Sequence, residues 1–235
     1  MPEILHDALP LAHAGDPRLP GTMPCAPNDW LRIDATYAAQ IAYRTRLLAQ
    51  QPQNVLYEPD PNSPANTEVF DAALEILPNL GFSISGNTVI CPDGRAVAID
   101  RSAPLCTLGQ LVQEDICVLQ KQGGEHVLTG AVLCFPASWR LSEKAGRPLI
   151  AIHKPVPEYD ENVARRVQRL FDGVRAGHPM WRFNKLPYAD ADLHQPYRKP
   201  EIPHMPFIRS ERQCILRLPR TDAVVFTIHT FVVRA

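Results

Sequence analysis

The sequence FIRSERQCILRLPRTDAVVFTIHTFVV, residues 207–233, decides the fold because it contains two strong strand patterns joined by a short turn. Polar and apolar residues alternate through residues 207–218, and β-branched and aromatic residues dominate residues 223–233. Pro219–Asp222 between them has the composition of a hairpin turn. The stretch therefore predicts two antiparallel strands at the centre of a sheet.

Alternation along the first of these strands places Arg212 on an otherwise apolar face. A guanidinium there needs an acidic partner, which could be a haem propionate, a phosphate, a carboxylate substrate or a buried Glu. An internal Arg–Glu pair is an equally good interpretation. The polar residues expected on the opposite face are Arg209, Glu211, Gln213 and Arg217.

Upstream segments predict helices and further strands without a regular alternation of the two. The predicted helices cover 35–51, 66–80, 104–121 and the residues after Asp160 up to 174. The predicted strands are a meander within 82–100, then 126–135, 148–152 and 180–186. This interleaving favours an α+β fold over a doubly wound one. We expect an extended segment at 1–33, followed by one domain over 34–235.

Composition excludes several classes of protein. The net charge of −1 gives no sign of nucleic-acid binding, and there is no apolar run of membrane-spanning length and no signal peptide. The six cysteines show no CxxC or CxxCH spacing, which indicates reduced thiols in a cytoplasmic protein. Phosphate loops, dinucleotide fingerprints and GxSxG elbows are absent.

A second stretch, CFPASWRLSEKAGRPLIAIHKPVP at Cys134–Pro157, predicts a functional loop between two apolar runs. His153 follows the predicted strand at 148–152, where its imidazole could bind a metal or haem iron. The alternative is a core histidine that hydrogen bonds to a backbone carbonyl. Cys134 is a rival haem ligand, but its apolar neighbours favour core packing. Trp139 and Lys144 are expected to lie beside the same pocket.

Four blocks of the sequence, taken together, resemble a known family. They are LVQEDICVL at 111–119, the segment from Cys134 continued to Tyr159, WRFN at 181–184 and the stretch 209–231. In this order they are similar to the haem-dependent oxidative N-demethylase family, from about Trp30 to Phe231. The resemblance implies a PAS-like fold, in which helices flank a five-stranded antiparallel sheet that binds haem b.

The resemblance also implies an activity, namely a monooxygenase-type oxidation of a secondary amine with O2 that releases formaldehyde. The electrons would come from NADPH through FMN and an iron–sulfur cluster. This chain has no cluster-binding cysteine run and no nucleotide fingerprint, so these cofactors are expected on a separate reductase. A small methylated amine such as dimethylamine is the expected substrate.

Site residues are implied by the same resemblance. His153 is the expected proximal ligand of the haem iron, and Glu211 is expected to receive the ammonium end of the amine. Lys185 stands where an aromatic residue is expected, and a cation there would repel a protonated amine. Further cofactor contacts are expected from Trp139, Lys144, Arg209 and Arg212, and further substrate contacts from Arg182, Asn184 and Lys185.

A non-enzymatic alternative stays open, namely a PAS-like sensor or binding module that holds haem or another small ligand. A family member that has lost the cofactor is a third possibility. The sequence shows neither a coiled coil nor an appended effector domain, which modestly favours an enzyme.

Overall fold

The computed structural model of the protein describes residues 3–15, 17, 21–60, 62–153, 161–200 and 202–235, with the backbone alone at 153 and 161–165. The helices are α1 (Tyr37–Gln50), α2 (Pro52–Val55), α3 (Pro64–Ile76), α4 (Pro104–Leu111), α5 (Leu149–His153) and α6 (Glu161–Gly173). The strands are β1 (Met23–Pro24), β2 (Leu56–Tyr57), β3 (Ser83–Ser85), β4 (Thr88–Ile90), β5 (Ala96–Ala98), β6 (Asp115–Gln122), β7 (Glu125–Val132), β8 (Met180–Tyr188), β9 (Phe207–Arg217) and β10 (Val224–Arg234).

One antiparallel sheet of seven strands organises the molecule, in the order β1-β8-β9-β10-β6-β7-β2. The two outermost strands have only two residues each, so five long strands carry the sheet. Helices and strands occur together without parallel βαβ units, which confirms the predicted α+β class. The PAS-like assignment stays a prediction.

The hairpin predicted from residues 207–233 is confirmed. Strands β9 and β10 pair in continuous register from Val224 opposite Arg217 to Arg234 opposite Phe207. Asp222 in the connecting turn has a φ of 60°, a left-handed conformation that Asp tolerates better than most residues. Because β10 also pairs with β6, this hairpin lies at the centre of the sheet.

The two faces of the sheet are covered differently. The helix-packed face carries Ile116, Val118, Cys214, Leu216 and Val225, which share one core cluster with residues of α1, α3 and α4. The opposite face, which we call the site face, belongs to a second cluster with residues of α5, α6 and the segment before α5. Its buried sheet residues include Cys117, Leu119, Leu128, Ile215 and Ile228.

Two predicted elements are wrong. The helix predicted over 104–121 ends at Leu111, and β6 begins at Asp115. Residues 115–119 are all buried, and a strand buried on both faces has the same continuous apolar run as a buried helix. The strand predicted at 148–152 is instead the short helix α5, which follows Pro148, a residue favoured at helix starts.

Other predicted elements are confirmed within a few residues. The meander predicted within 82–100 is the separate three-stranded sheet β3-β4-β5. The helices predicted at 35–51 and 66–80 correspond to α1 and to α3 with its 3-10 extension. The segment before residue 34 contacts the large sheet through β1, which pairs with β8. The division into 1–33 and 34–235 stays a prediction.

Candidate functional site

Asp115 positions the start of the loop that the sequence singled out. Its two carboxylate oxygens accept hydrogen bonds from the backbone N–H of Cys134 at 2.6 Å and of Phe135 at 2.9 Å. The guanidinium of Arg44 in α1 forms an ion pair with the same carboxylate at 2.6 Å, and both side chains are fully buried. The chain after β7 is therefore fixed to the core of the protein.

Two residues of the proline-rich stretch complete this anchoring. The ring of His194 lies 2.7 Å from the carbonyl oxygen of Cys134, and the N–H of Ser138 donates to the carbonyl of Gln195 at 2.7 Å. Ser138 has a φ of 63°, a conformation that few residues other than glycine adopt. This turn directs the next residue, Trp139, onto the site face, where it packs against the second core cluster.

Lys144 lies over this indole. Its ammonium is 4.2 Å from the centre of the Trp139 ring, within cation–π range. Desolvation by burial lowers the pKa of Lys144, and the nearby Cys117 places it above the site face. Within the described residues, no carboxylate lies at ion-pair distance from this ammonium. A half-buried cation without such a partner is suited to hold an anion from a ligand.

Strands β8 and β9 contribute a hydrogen-bonded polar network to the same face. Arg182 donates to Gln213 at 2.7 Å, and the Gln213 amide donates to Glu211 at 3.0 Å. The side-chain amide of Asn184 also donates to Glu211 at 2.9 Å. The Nε of Arg182 is buried and has no hydrogen-bond partner among the described residues. The four side chains hold one another in place by hydrogen bonds, and the Nε of Arg182 is left without a hydrogen-bond partner among the described residues.

Arg209 lies beside this network, but its guanidinium interacts with other groups of the protein. Its guanidinium pairs with Glu211 at 3.1 Å and donates to the carbonyl oxygens of Leu193 and Phe135. It also lies over the ring of Tyr188, with 5.7 Å between the guanidinium carbon and the ring centre. The sequence suggested an internal Arg–Glu pair for Arg212, whereas here Arg209 forms such a pair. A propionate or substrate contact for Arg209 stays a prediction.

Arg212 and Lys185 do not join the other predicted site residues. Arg212 lies on the helix-packed face, is 1% exposed and pairs with Asp29 at 2.9 Å. Lys185 alternates with Asn184 along β8 and donates to the carbonyl of Gly15 at 2.7 Å. The pocket expected around Trp139, Lys144 and Arg212 is therefore divided by the sheet, and their assigned roles stay predictions.

The two candidate iron ligands differ in what the structure describes. Cys134 is fully buried, and burial raises the pKa of its thiol to about 12, which suits a packed neutral side chain. The backbone of His153 ends α5 beside the site face, but its side chain and residues 154–160 lie outside the described residues. The ligand role of His153 stays a prediction.

A separate cavity of about 460 Å³ lies between the three-stranded sheet and α4. Arg95 in its wall is paired with Asp93 at 2.6 Å and donates to the backbone of Gln110, so its charge is already compensated. The cavity contains none of the predicted site residues. Among the described residues, no three His, Cys, Asp or Glu side chains converge on a metal site.

Comparison with known protein families identifies a match over nearly the whole chain. Residues 21–235 match the family described as haem-dependent oxidative N-demethylase, alpha subunit-like. The chain belongs to this family. The description points to an oxidoreductase with haem, and a subunit of that kind implies a partner subunit. None of the helices among the described residues is long and apolar enough to cross a membrane.

Sequence reasoning missed several residues that position the site of this protein. Asp115 was predicted only as part of the helix over 104–121, whereas it pairs with the distant Arg44 and holds the loop. The available signal was that Asp115 stands among apolar residues, because a buried charge requires a partner. His194 and Gln195 lie in a proline-rich stretch without periodicity, so nothing in the pattern marked them. Gln213 was placed on the correct face without a role.

Proposed function

We propose that this protein binds haem b against the site face and catalyses oxidative N-demethylation of a small, dimethylamine-like methylated amine with release of formaldehyde. One observation carries the proposal. Lys144 and Arg182 are cations on the site face that lack a carboxylate at ion-pair distance among the described residues. The family description names haem, which supports the choice of ligand.

The charges on the site face fit a haem. A haem carries two propionates on an apolar ring, and buried cations are stable only when an anion compensates them. Lys144 is one such cation, and Arg182 is a second, whose buried Nε has no hydrogen-bond partner among the described residues. Desolvation lowers the pKa of both side chains, which an incoming carboxylate would reverse.

The site face beside Lys144 carries apolar side chains that suit the ring itself. Lys144 is beside Cys117 on β6, and Arg182 is on β8, with β10 and β9 between them. The rung that starts at Cys117 continues through Phe226 and Ile215, whose side chains are apolar, to Met180, while Arg182 lies on the next rung of this face. Trp139 lies at the Lys144 end and would form one wall of the pocket.

His153 remains our choice for the residue that binds the haem iron, because it is the last residue of α5, which follows the anchored loop. Haem in this position supplies the iron centre at which O2 is activated for oxidation of the amine. The role of this chain is to hold the ring, to exclude water with Trp139 and α5, and to orient the amine. Cys134 is too deeply buried and too firmly protonated to be the better ligand.

Glu211 is the proposed acceptor for the ammonium end of the substrate. Asn184 and Gln213 both donate to its Oε2, and Arg209 pairs with its Oε1, so the carboxylate is held in one orientation. Arg182 and Asn184 thereby act on the substrate through Glu211. Lys185 points to the opposite face, so its charge does not oppose a protonated amine at Glu211.

The proposed reaction needs electrons that this chain does not supply. We propose that a separate reductase subunit in the cytoplasm delivers them from NADPH through FMN and an iron–sulfur cluster. Docking beside α5 and α6 would bring that subunit close to the site face.

The visible spectrum of the purified protein after reconstitution with haem b tests the cofactor. We expect a Soret band that His153→Ala abolishes or strongly shifts and that Cys134→Ala preserves. The reverse pattern would transfer the ligand role to Cys134. Absence of a Soret band after reconstitution would refute haem binding.

Formaldehyde release with dimethylamine, O2 and a surrogate reductase tests the reaction. Glu211→Gln should retain the Soret band and lose most of the formaldehyde production, because the amide cannot compensate the ammonium charge. A haem-loaded protein that releases no formaldehyde from any methylated amine would favour the sensor instead.

A further inference from the structure

The cavity beside the three-stranded sheet, which we call the edge groove, follows the free edge of a strand. Four consecutive residues, Arg95–Ala98, line it. A cavity over the face of a sheet is lined by alternate residues of a strand, because successive side chains point to opposite faces. The other wall is one flank of α4 and the residue before it, with side chains three or four residues apart: Ala103, Cys106, Thr107 and Gln110. The edge groove therefore runs along β5 and α4.

The backbone of β5 carries hydrogen-bonding groups that no neighbouring strand uses. On the side of β4, the carbonyl of Arg95 accepts a hydrogen bond at 2.8 Å, and the N–H of Ile99 donates one at 2.9 Å. Hydrogen-bonded and non-hydrogen-bonded pairs alternate along an antiparallel ladder, so Val97 also bonds to β4, whereas the N–H and C=O groups of Ala96 and Ala98 point away from it. Both alanines are exposed, and none of the described residues hydrogen bonds to these groups. Two donors and two acceptors are therefore free along this edge.

The opposite edge of the same sheet differs. The pairing of β3 with β4 leaves only the backbone groups of Ile84 pointing outward, and no residue of β3 lines the edge groove. Natural proteins usually protect an exposed edge with charged residues, proline or a bulge. The three residues of β5 are instead Ala96, Val97 and Ala98, two of which have the smallest side chain that carries a Cβ. The β5 edge is therefore both unprotected and accessible to another backbone.

We propose that the edge groove binds an extended segment of a partner polypeptide, which adds to β5 as a fourth strand of the small sheet. In strand addition, main-chain hydrogen bonds give the affinity and side-chain contacts give the specificity. The volume of about 460 Å³ lies within the range of ligand pockets. Because α4 forms the second wall, a single strand fits the groove. The sheet edge of a second copy would instead bring a further strand against the helix.

The charges at the two ends of the edge groove define the chemistry of the partner. Arg95 at one end pairs with Asp93 at 2.6 Å, so its charge is compensated. Asp100 at the other end accepts hydrogen bonds from the N–H and the hydroxyl of Ser102, and among the described residues no cation lies at ion-pair distance from it. A Lys or Arg of the partner would supply that cation. Small or β-branched side chains fit between the two ends.

Random seven-residue peptides displayed on phage and selected on the intact chain provide the probe. The selected sequences are synthesised, and their Kd is measured by fluorescence anisotropy. We expect peptides that combine β-branched residues with a Lys or Arg, and their binding should slow hydrogen exchange at the amides of Ala96 and Ala98. Asp100→Asn should weaken binding several-fold. Failure to select any peptide, or slowed exchange only elsewhere in the protein, would overturn the proposal.

Ala98→Pro removes one outward N–H and leaves the hydrogen bonds to β4 in place, since edge strands tolerate proline. We expect about tenfold weaker peptide binding. Ile84→Pro is the matched control, because it removes an outward N–H from the opposite edge of the same sheet and should leave the Kd unchanged. Equal effects of the two substitutions would contradict binding at β5.

Peptides that are N-methylated at every second residue supply the same test without any change to the protein. Methylation of the amides that face β5 should abolish binding, whereas methylation of the alternate amides should preserve it. Equal binding of both sets would exclude strand addition. A dimer of the peptide-free protein that Ala98→Pro dissociates would assign the edge to a second copy and overturn the proposal.

Discussion

Positive charges are compensated differently on the two faces of the large sheet. On the helix-packed face, His229 lies between Glu114 and Asp34, with 2.9 Å to each carboxylate, and Arg212 pairs with Asp29. On the site face, Lys144 lies over an indole and Arg182 hydrogen bonds to an amide. The first face is compensated internally, as expected for a core. The second has cationic positions that a ligand can use.

The difference shows why buried charge alone does not identify a site. Arg212 is among the most deeply buried cations of the protein, yet protein groups compensate it. Lys144 and Arg182 are less buried but lack acidic partners among the described residues. The absence of a compensating charge, rather than burial, distinguishes the candidate site.

The largest effect is expected from substitution of Asp115, which pairs with Arg44 of α1 and also holds the loop before Trp139. Asp115→Ala removes the partner of fully buried Arg44 and the acceptor for the loop before Trp139. We expect a loss of about 3–5 kcal/mol in the free energy of unfolding, measured by urea denaturation.

The matched control is Asp172→Ala, which removes an exposed pair with Lys121. It should cost less than about 1 kcal/mol. Equal effects of the two substitutions would show that the buried pair has no special importance.

The next largest effect is expected from a change of pH, which alters the charge of His229 on the helix-packed face. The carboxylates of Glu114 and Asp34 outweigh desolvation and raise the pKa of His229 to about 9. The stabilisation is complete below pH 6.5, the ordinary histidine pKa, and is lost as the pH rises through about 9. We expect a decrease of up to about 3 kcal/mol in the free energy of unfolding between pH 6.5 and 9.5.

His229→Gln should flatten this pH dependence in urea titrations, because glutamine does not titrate. His126→Gln is the control, since burial lowers the pKa of that histidine and it should leave the decline intact. An unchanged slope in His229→Gln would assign the pH dependence to other groups.

Substitution of Lys144 tests the role of the cations on the site face, which have no acidic partner among the described residues. Lys144→Met preserves most of the side-chain volume over Trp139 and removes the charge. We expect about tenfold weaker haem binding, equivalent to about 1.4 kcal/mol, in a titration followed at the Soret band. Tighter or unchanged binding would contradict a propionate contact.

The smallest effect is expected from substitution of Lys185, a lysine on the helix-packed face that serves as the control for Lys144. Lys185→Met removes an exposed hydrogen bond to Gly15. Stability should change by less than about 0.5 kcal/mol, with haem affinity and formaldehyde release unaltered. A marked gain in activity toward dimethylamine would place Lys185 near the substrate after all.

Much of the fold was predictable because local patterns and tertiary contacts agree. The alternation in residues 207–218 placed Arg212 with Cys214 and Glu211 with Gln213, and the hydrogen bonds confirm both pairings. The predictions for 104–121 and 148–152 failed because short apolar runs do not distinguish a buried strand from a helix.

The candidate site was predictable as a segment but not as an arrangement. Trp139 and Lys144 are close in sequence, so their contact follows from local chain geometry. The separation of Arg212 from them depends on which sheet face each residue occupies, and the loop composition contains no such information. The anchoring of the loop by Asp115 and His194 likewise depends on contacts between distant residues.

The sequence alone therefore determined the α+β class, the central hairpin and the residues that carry the family resemblance, since these depend on periodicity and local motifs. Only the tertiary structure decided that Arg212 contacts Cys25 and Cys214 while Arg182 hydrogen bonds to Gln213 on the other side. The physical reason is that charge compensation depends on distance in space. Pairs such as Arg44 with Asp115 form only when the sheet and its helices have assembled.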